Sequence, residues 1–254
     1  MTAIRSRDNA RVKRWAKLVR DSSARRSEKR VILEGAHLVA EALQSGLKPL
    51  ALIVSESGLQ RAEIQKLLGR HEPVVLGDRV FSTVADAETP PGIAAEIEMP
   101  SAPAAAGHAI FLEGIQDPSN VGAILRSAAA FGVGEVVLDR GCADAWSPKV
   151  LRAGMGGHFK LALRQVADLA KALDAFDGTL VCTASTQGLA LNKADLNGKL
   201  GWIFGAEGQG VSEATAAKAA LRVTIPMAPG TESLNVAAAA AICLYASFNS
   251  GSGS

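Results

Sequence analysis

Aromatic side chains make up only 4% of this 254-residue chain, so stacking platforms for bases are scarce. Trp15 is better assigned to a core than to such a platform. The three cysteines, Cys142, Cys182 and Cys243, lie far apart and form no C-x-x-C pair. That argues against a thiolate metal site or a disulfide framework and points to buried reduced thiols in a cytoplasmic protein. His37, His71, His108 and His158 show no ligand spacing, and no metal is expected. His158 follows two glycines and either faces a site or plays a loop role. The opening MTAIRSRDNARVK lacks the apolar core of a secretory signal. The alanine-rich run 236–246 is short for a membrane span. Also missing are a G-x-G-x-x-G after the first strand, a P-loop and a G-x-S-x-G elbow, which weighs against a dinucleotide enzyme, a P-loop kinase and an α/β-hydrolase.

What is present is 48% apolar residues, enough for a sizeable core in one large or two small domains. The net charge of +2 hides an asymmetry. Residues 1–30 hold eleven Lys/Arg against three Asp/Glu, and the remainder sixteen against twenty-two. A basic segment on a near-neutral body suggests a polyanion contact, although an ordinary solvated helix has the same composition.

Residues 8–20 read as a helix with Val12, Trp15, Leu18 and Val19 near one face. Arg25, Arg26, Lys29 and Arg30 read as a polar turn. Strands are expected at Val31–Leu33, Leu50–Val54, Pro73–Leu76 and Gly92–Ile97, and helices at Gly35–Gln44, Leu59–Leu68 and Arg79–Val84. Met99–Gly107, with two prolines and no period, reads as a linker. It separates a first α/β domain, 1–104, from a second, 105–249, with 250–254 as a flexible tail. In the second domain, strands are expected at Ala109–Leu112, Glu135–Leu138, Leu180–Thr183, Gly201–Phe204 and Leu221–Ile225. Helices are expected at Val121–Phe131, Val166–Ala175, Ser212–Ala219 and Leu234–Phe248. Continuous apolar strands separated by helices argue a mainly parallel sheet covered on both faces.

Three stretches stand out. In SNVGAILRSAAAFG (119–132), Asn120 stands at a helix start and Arg126 is the one charge in a small-residue helix, roughly 1.7 turns further on. The plain alternative is a helix cap and a salt-bridge partner. In FGAEGQG (204–210), three glycines follow a strand and permit close backbone approach. The plain alternative is a tight turn with Glu207 favoured near a helix N-terminus. In IPMAPGTESLNV (225–236), Ser233 and Asn235 stand by the start of the last helix, as chemistry or as caps only.

Together, in this order and spacing, these stretches resemble the three motifs of the SpoU/TrmH family of SPOUT methyltransferases. The resemblance implies a knotted C-terminal domain with a trefoil knot, S-adenosylmethionine held by the knot loops, a homodimer, and methyl transfer to a ribose 2′-hydroxyl of RNA. The first domain is similar to the ribosomal-protein-like RNA-binding domain often fused to these enzymes, which favours ribosomal RNA, most specifically 23S, over tRNA. By resemblance, Arg126 matches the catalytic arginine, Asn120 and Glu207 the polar residues of the first two motifs, and Ser233 and Asn235 the pair of the third. Gly205, Glu207, Ile225, Met227, Leu234 and Asn235 match cofactor-contacting positions.

Arg11, Arg14, Arg25 and Arg26, with Arg126, are the expected RNA contacts. A guanidinium carries no acceptor, so Arg126 serves either as a locally depressed base or as a charged clamp on the phosphate and the developing alkoxide; the charged role is favoured. The rival readings are a base methyltransferase and a non-catalytic RNA-binding protein.

Overall fold

The computed structural model describes residues 2–100, 107–186, 188–231 and 233–251. It divides into two compact units, Met1–Pro100 with Trp146–Phe159, and Ser101–Ala145 with Lys160–Ser254. The expected boundary at 104/105 and most of the expected linker lie outside the described residues, as does the tail beyond Gly251.

In the first unit, α1 (Ala10–Arg20) begins where Asn9 accepts a hydrogen bond from the Arg11 N–H. It buries Val12, Trp15, Leu18 and Val19, the face its periodicity specifies; each such side chain contributes about 1.5–3 kcal/mol. The expected polar turn is instead a helix, α2 (Ser22–Glu28), capped by Asp21 and ended by Lys29 in the left-handed region at φ 51°. Seven residues with one alanine among six polar side chains carry too little periodicity to announce it. Then follow β1 (Arg30–Glu34), α3 (Ala36–Gln44), β2 (Ala51–Ser55), α4 (Ala62–Leu68), β3 (Val74–Leu76), α5 (Asp78–Phe81) and β4 (Ile93–Glu98). The sheet order is β1-β4-β2-β3, antiparallel across β1-β4-β2 and parallel for β2-β3.

The second unit opens with β5 (Ala109–Glu113), α6 (Pro118–Ala130) and β6 (Glu135–Leu138). Residues 146–159 then belong to the first unit and carry α7 (Pro148–Gly154), which the apolar pattern did not reveal. Arg152 of α7 donates to Asp86 at 2.6 Å and reaches Glu34, whose carboxylate also accepts from the Asp86 and Ala87 N–H groups. His158 is buried beside Trp146 in that segment, with ring centroids 5.4 Å apart, and its role is packing.

The chain resumes with β7 (Ala162–Gln165), α8 (Leu169–Asp174), β8 (Thr179–Thr183), β9 (Leu189–Ala190), β10 (Leu200–Gly205), α9 (Glu213–Ala216), β11 (Leu221–Thr224) and α10 (Val236–Gly251). The order is β7-β6-β5-β10-β8-β11-β9, with every pairing parallel. The edge strands β7 and β9 escaped the sequence reading because they are short and half exposed. The expected mainly parallel sheet is otherwise present, and β10 at its centre is buried along its whole length. Trp202 of β10 donates to Ser247 Oγ at 2.8 Å, and Ser247 in turn donates to the Cys243 carbonyl, which anchors α10 on the sheet. All three thiols are buried, and burial pushes Cys142 and Cys243 up to about 12. Among the described residues no helix is long and apolar enough to cross a membrane.

Candidate functional site

The site lies in the second unit, at the carboxyl ends of β5, β8, β10 and β11, where open parallel sheets bind their ligands. Asp117, not Asn120, caps α6: it accepts from the Ser119 N–H and hydroxyl at 2.8 and 2.7 Å, and Pro118 fills the first helical position. Asn120 therefore stands inside the first turn, only 8% exposed, with its amide turned to the other two motifs. Its Nδ2 donates to Glu207 Oε1 at 2.6 Å, and its Oδ1 accepts from Asn235 Nδ2 at 2.9 Å. Asn235 Oδ1 accepts in turn from the Ala237 and Ala238 N–H groups at 2.9 and 3.3 Å, capping α10. An ionised carboxylate only accepts, so Glu207 dictates the orientation of both amides, and one charge polarises the whole chain out to α10.

The second motif depends on a missing side chain. A Cβ on Gly205 would lie 2.1 Å from the carbonyl carbon and oxygen of Gly210. Only glycine there lets the loop fold back on the strand end, where the Gly210 N–H donates to the Ala206 carbonyl at 2.8 Å. The far side of this loop is latched by Glu113 at the end of β5. Its carboxylate accepts from the Ser212 N–H and hydroxyl at 2.8 and 2.7 Å, and from the Thr215 hydroxyl at 2.6 Å. The sequence reading missed Glu113; its place at a strand end was the available signal.

A cavity of about 670 Å³ opens beside these loops. Gly205, Glu207, Ile225, Met227, Ser233, Leu234 and Asn235, all sequence candidates, line it. So do Thr183 at the end of β8, residues 184–186 after it, and Arg222 and Thr224 of β11, which were not anticipated. Neither Asn120 nor Arg126 is part of the lining. Arg126 is exposed on α6 and makes no ion pair with any described residue, which removes the salt-bridge alternative. Among the described residues no group of three His, Cys, Asp or Glu is arranged to hold a metal.

The four basic candidates of the first unit divide. Arg25 is 4% exposed and donates to the Leu18 and Val19 carbonyls at 2.7 and 3.0 Å, satisfying the open end of α1. Arg14 donates to Glu28 and Glu96, each at 2.6 Å. Burial turns Arg25 away from solvent, which corrects the expectation that it faces RNA, while Arg14 is bound to two carboxylates with its side chain 32% exposed. Arg11 stays exposed, its guanidinium 4.9 Å from the ring centroid of Trp15, and Arg26 is exposed as well. Trp15 itself is core, 1% exposed, with its indole N–H on Glu96 at 2.8 Å.

Comparison with known proteins agrees with this geometry. The MRM3-like substrate binding domain profile matches residues 9–95. The 23S rRNA (guanosine(2553)-2′-O)-methyltransferase RlmP of Bacillus subtilis is 34% identical over 96% of this chain and 98% of its own length. The AdoMet-bound rRNA methyltransferase from Sinorhizobium meliloti superposes with a TM-score of 0.79 at 25% identity, covering 98% of this chain and 97% of that one. The SpoU methyltransferase AviRb from Streptomyces viridochromogenes has the same fold, with a TM-score of 0.86 at 24% identity over 96% and 99% of the two chains. The three loops that meet through Asn120, Glu207 and Asn235 fall within residues 107–245, the span matched by the SpoU rRNA Methylase profile, and the chain belongs to that family.

Proposed function

We propose that this protein is a cytoplasmic enzyme that transfers a methyl group from S-adenosylmethionine to a ribose 2′-hydroxyl of structured RNA, with 23S ribosomal RNA as substrate. The observation that carries this reading is the Asn120–Glu207–Asn235 chain, which ties three motif loops together beside one cavity. The activity of the Bacillus subtilis relative, aligned over nearly the whole chain, supports the choice of RNA and of ribose. The Sinorhizobium meliloti protein, solved with AdoMet, supports the donor.

The residues present fit that donor. The cavity volume is within the usual range for small-molecule sites. Its wall joins the glycine-rich backbone of 205–210 to the apolar Ile225, Met227 and Leu234. Such a wall suits a nucleoside, which needs apolar contact on its faces and backbone hydrogen bonds at its edges. When bound, the donor supplies an electrophilic methyl group.

The protein's residues do the rest. Asn120 and Asn235 hold the loops in register, and Glu207 orients both amides. Arg126, unpaired among the described residues, keeps its charge for a substrate phosphate and for the oxyanion that develops on the attacking ribose oxygen. Holding that oxygen in line with the methyl group is the larger contribution expected of such a site. The proton leaves the hydroxyl to an acceptor other than the guanidinium, which has none to offer. Arg11 and Arg26 of the first unit draw RNA by pairing with its phosphates.

A homodimer and a trefoil knot belong to the same proposal. The α10 face bearing Ile242, Tyr245 and Phe248 is 40%, 55% and 47% exposed, and it groups with Phe131 of α6. An apolar face of this kind suits a second copy of the chain. Light scattering on wild type and Tyr245→Asp tests it: a monomeric wild type rules the dimer out. For the knot, the support is the strand order, in which the late strand β10 lies between β5 and β8.

The deciding experiment is methylation of ribosomal RNA in vitro, digestion to nucleosides and mass analysis. A methyl on the sugar of a 23S nucleoside is expected. A methyl on a base, or transfer to tRNA alone, overturns the assignment. RNA binding without any transfer would leave a non-catalytic RNA-binding protein.

A further inference from the structure

Arg222 of β11 is the one cation among the described lining residues of the cavity, and Glu207 the one carboxylate. They are not partners. Glu207 is engaged by Asn120 at 2.6 Å. Arg222 is solvent-exposed and makes no ion pair or hydrogen bond with any described residue.

The strand register defines its surroundings. Arg222 lies beside Cys182 and Val223 beside Thr183 in the parallel β11–β8 pair. Past the end of β8 the chain runs Ala184–Ser185–Thr186, and both hydroxyl residues line the same cavity; Thr183, paired with Val223, stands on the opposite face of the sheet from Arg222. A guanidinium that lines one cavity with two hydroxyl residues makes a donor-rich pole, the composition that recognises a carboxylate or phosphate. Glu207 follows β10, and β8 lies between β10 and β11. Two strand spacings separate the poles by about 10 Å. The cavity is therefore bipolar, with an anion-seeking end on β11 and a carboxylate held by the motif loops at the other.

We propose that Arg222, with the hydroxyls of Ser185 and Thr186, receives the carboxylate at the amino-acid end of the methyl donor. This rests on the reading of the cavity as the donor site. A carboxylate seated at that pole fixes which way round the ligand lies as well as how tightly it binds. The chemistry would also suit an RNA phosphate. The donor carboxylate is favoured because the cation stands on a sheet strand within the cavity lining, whereas Arg126 stands outside it on an exposed helix face.

Isothermal calorimetry on the full chain tests this with two ligands, S-adenosylmethionine and its decarboxylated analogue, which keeps the sulfonium and the ammonium. Wild type is expected to prefer the intact donor by roughly 10- to 100-fold, the range for hydrogen bonds to a charged group. Arg222→Ala should abolish that preference by weakening the intact donor alone; unchanged affinity for the analogue also reports an intact cavity. Arg222→Lys should retain part of the preference, because a point charge replaces the planar fork. Equal loss for both ligands, or no change in the ratio, overturns the proposal. An unchanged ratio with weaker RNA binding in a filter assay assigns the cation to phosphate instead, and overturns it too. If wild type binds neither ligand, the donor reading itself fails and this inference falls with it.

Discussion

Arg14 of the first unit and Arg126 of the second are both helix arginines, yet they live in opposite circumstances. Arg14 is held between Glu28 and Glu96, with Arg30 and the Trp15 indole on the same Glu96 carboxylate. Burial alone would raise the pKa of Glu96, but the bonds from Arg14, Trp15 and Arg30 outweigh it and hold the carboxyl below the usual range. In the second unit the polar chain that joins the motif loops is built from two amides and one carboxylate, with Asn120 its one buried member, while Arg126 and Arg222 have no ionic partner among the described residues. The cluster around Glu96 neutralises its arginines internally, whereas Arg126 and Arg222 keep no ionic partner among the described residues. Partner state, rather than residue type, separates a structural arginine from a functional one.

The sharpest way to break this contrast is Arg126→Ala. If the free charge stabilises the reaction, turnover falls by about 10²–10³-fold while donor affinity by calorimetry stays unchanged. Near-full activity of Arg126→Lys would rule out a need for the planar fork. Next in size is Gly205→Ala, whose Cβ collides with Gly210. Overpacking of this kind costs about 1–3 kcal/mol, and the loop must move, so donor binding should weaken by at least about tenfold; an unaltered affinity would detach the loop from the donor site. Glu207→Gln keeps the shape but lets both amides flip, at about 1–3 kcal/mol for the polarised network, read as lost turnover with donor affinity partly kept.

In the first unit, Glu96 gives a pH signature. Its folded pKa is below the unfolded one, so its stabilisation is present at neutral pH and is lost as pH falls through the folded value. Melting temperatures across an acid series should drop less steeply for Glu96→Gln than for wild type; parallel curves would mean that Glu96 adds nothing. The smallest effect is expected for charge reversal at Arg11 and Arg26. It should lower RNA affinity and flatten its log–log salt dependence by about 0.7–0.9 for each phosphate no longer neutralised, with the melting temperature unmoved. Arg25→Gln should do the reverse. If Arg25 and Arg26 behave alike, the division of the basic segment between structure and RNA is wrong.

The α1 stripe, the five inner strands of the parallel sheet and the glycine loop after β10 were legible because each is written in consecutive residues, as a period, an apolar run or a cluster of glycines. Likewise, the three motifs announced Asn120, Glu207 and Asn235 by order and spacing. What stayed hidden was every decision made by a distant partner. Arg14 meets Glu96 82 residues away, and Asn235 meets Asn120 115 residues away. No local pattern tells Arg25, turned in on the α1 carbonyls, from Arg26 beside it in open solvent. Nor does any local pattern say that Arg222 shares a cavity with the hydroxyls that follow β8. The sequence by itself determined most of the elements and which loops carry polar chemistry, because helix caps, periodicity and glycine conformations are short-range. Only the tertiary structure decided which charges are neutralised and which remain available, because ion pairs and cavities are set by strand order and packing between segments far apart in the chain.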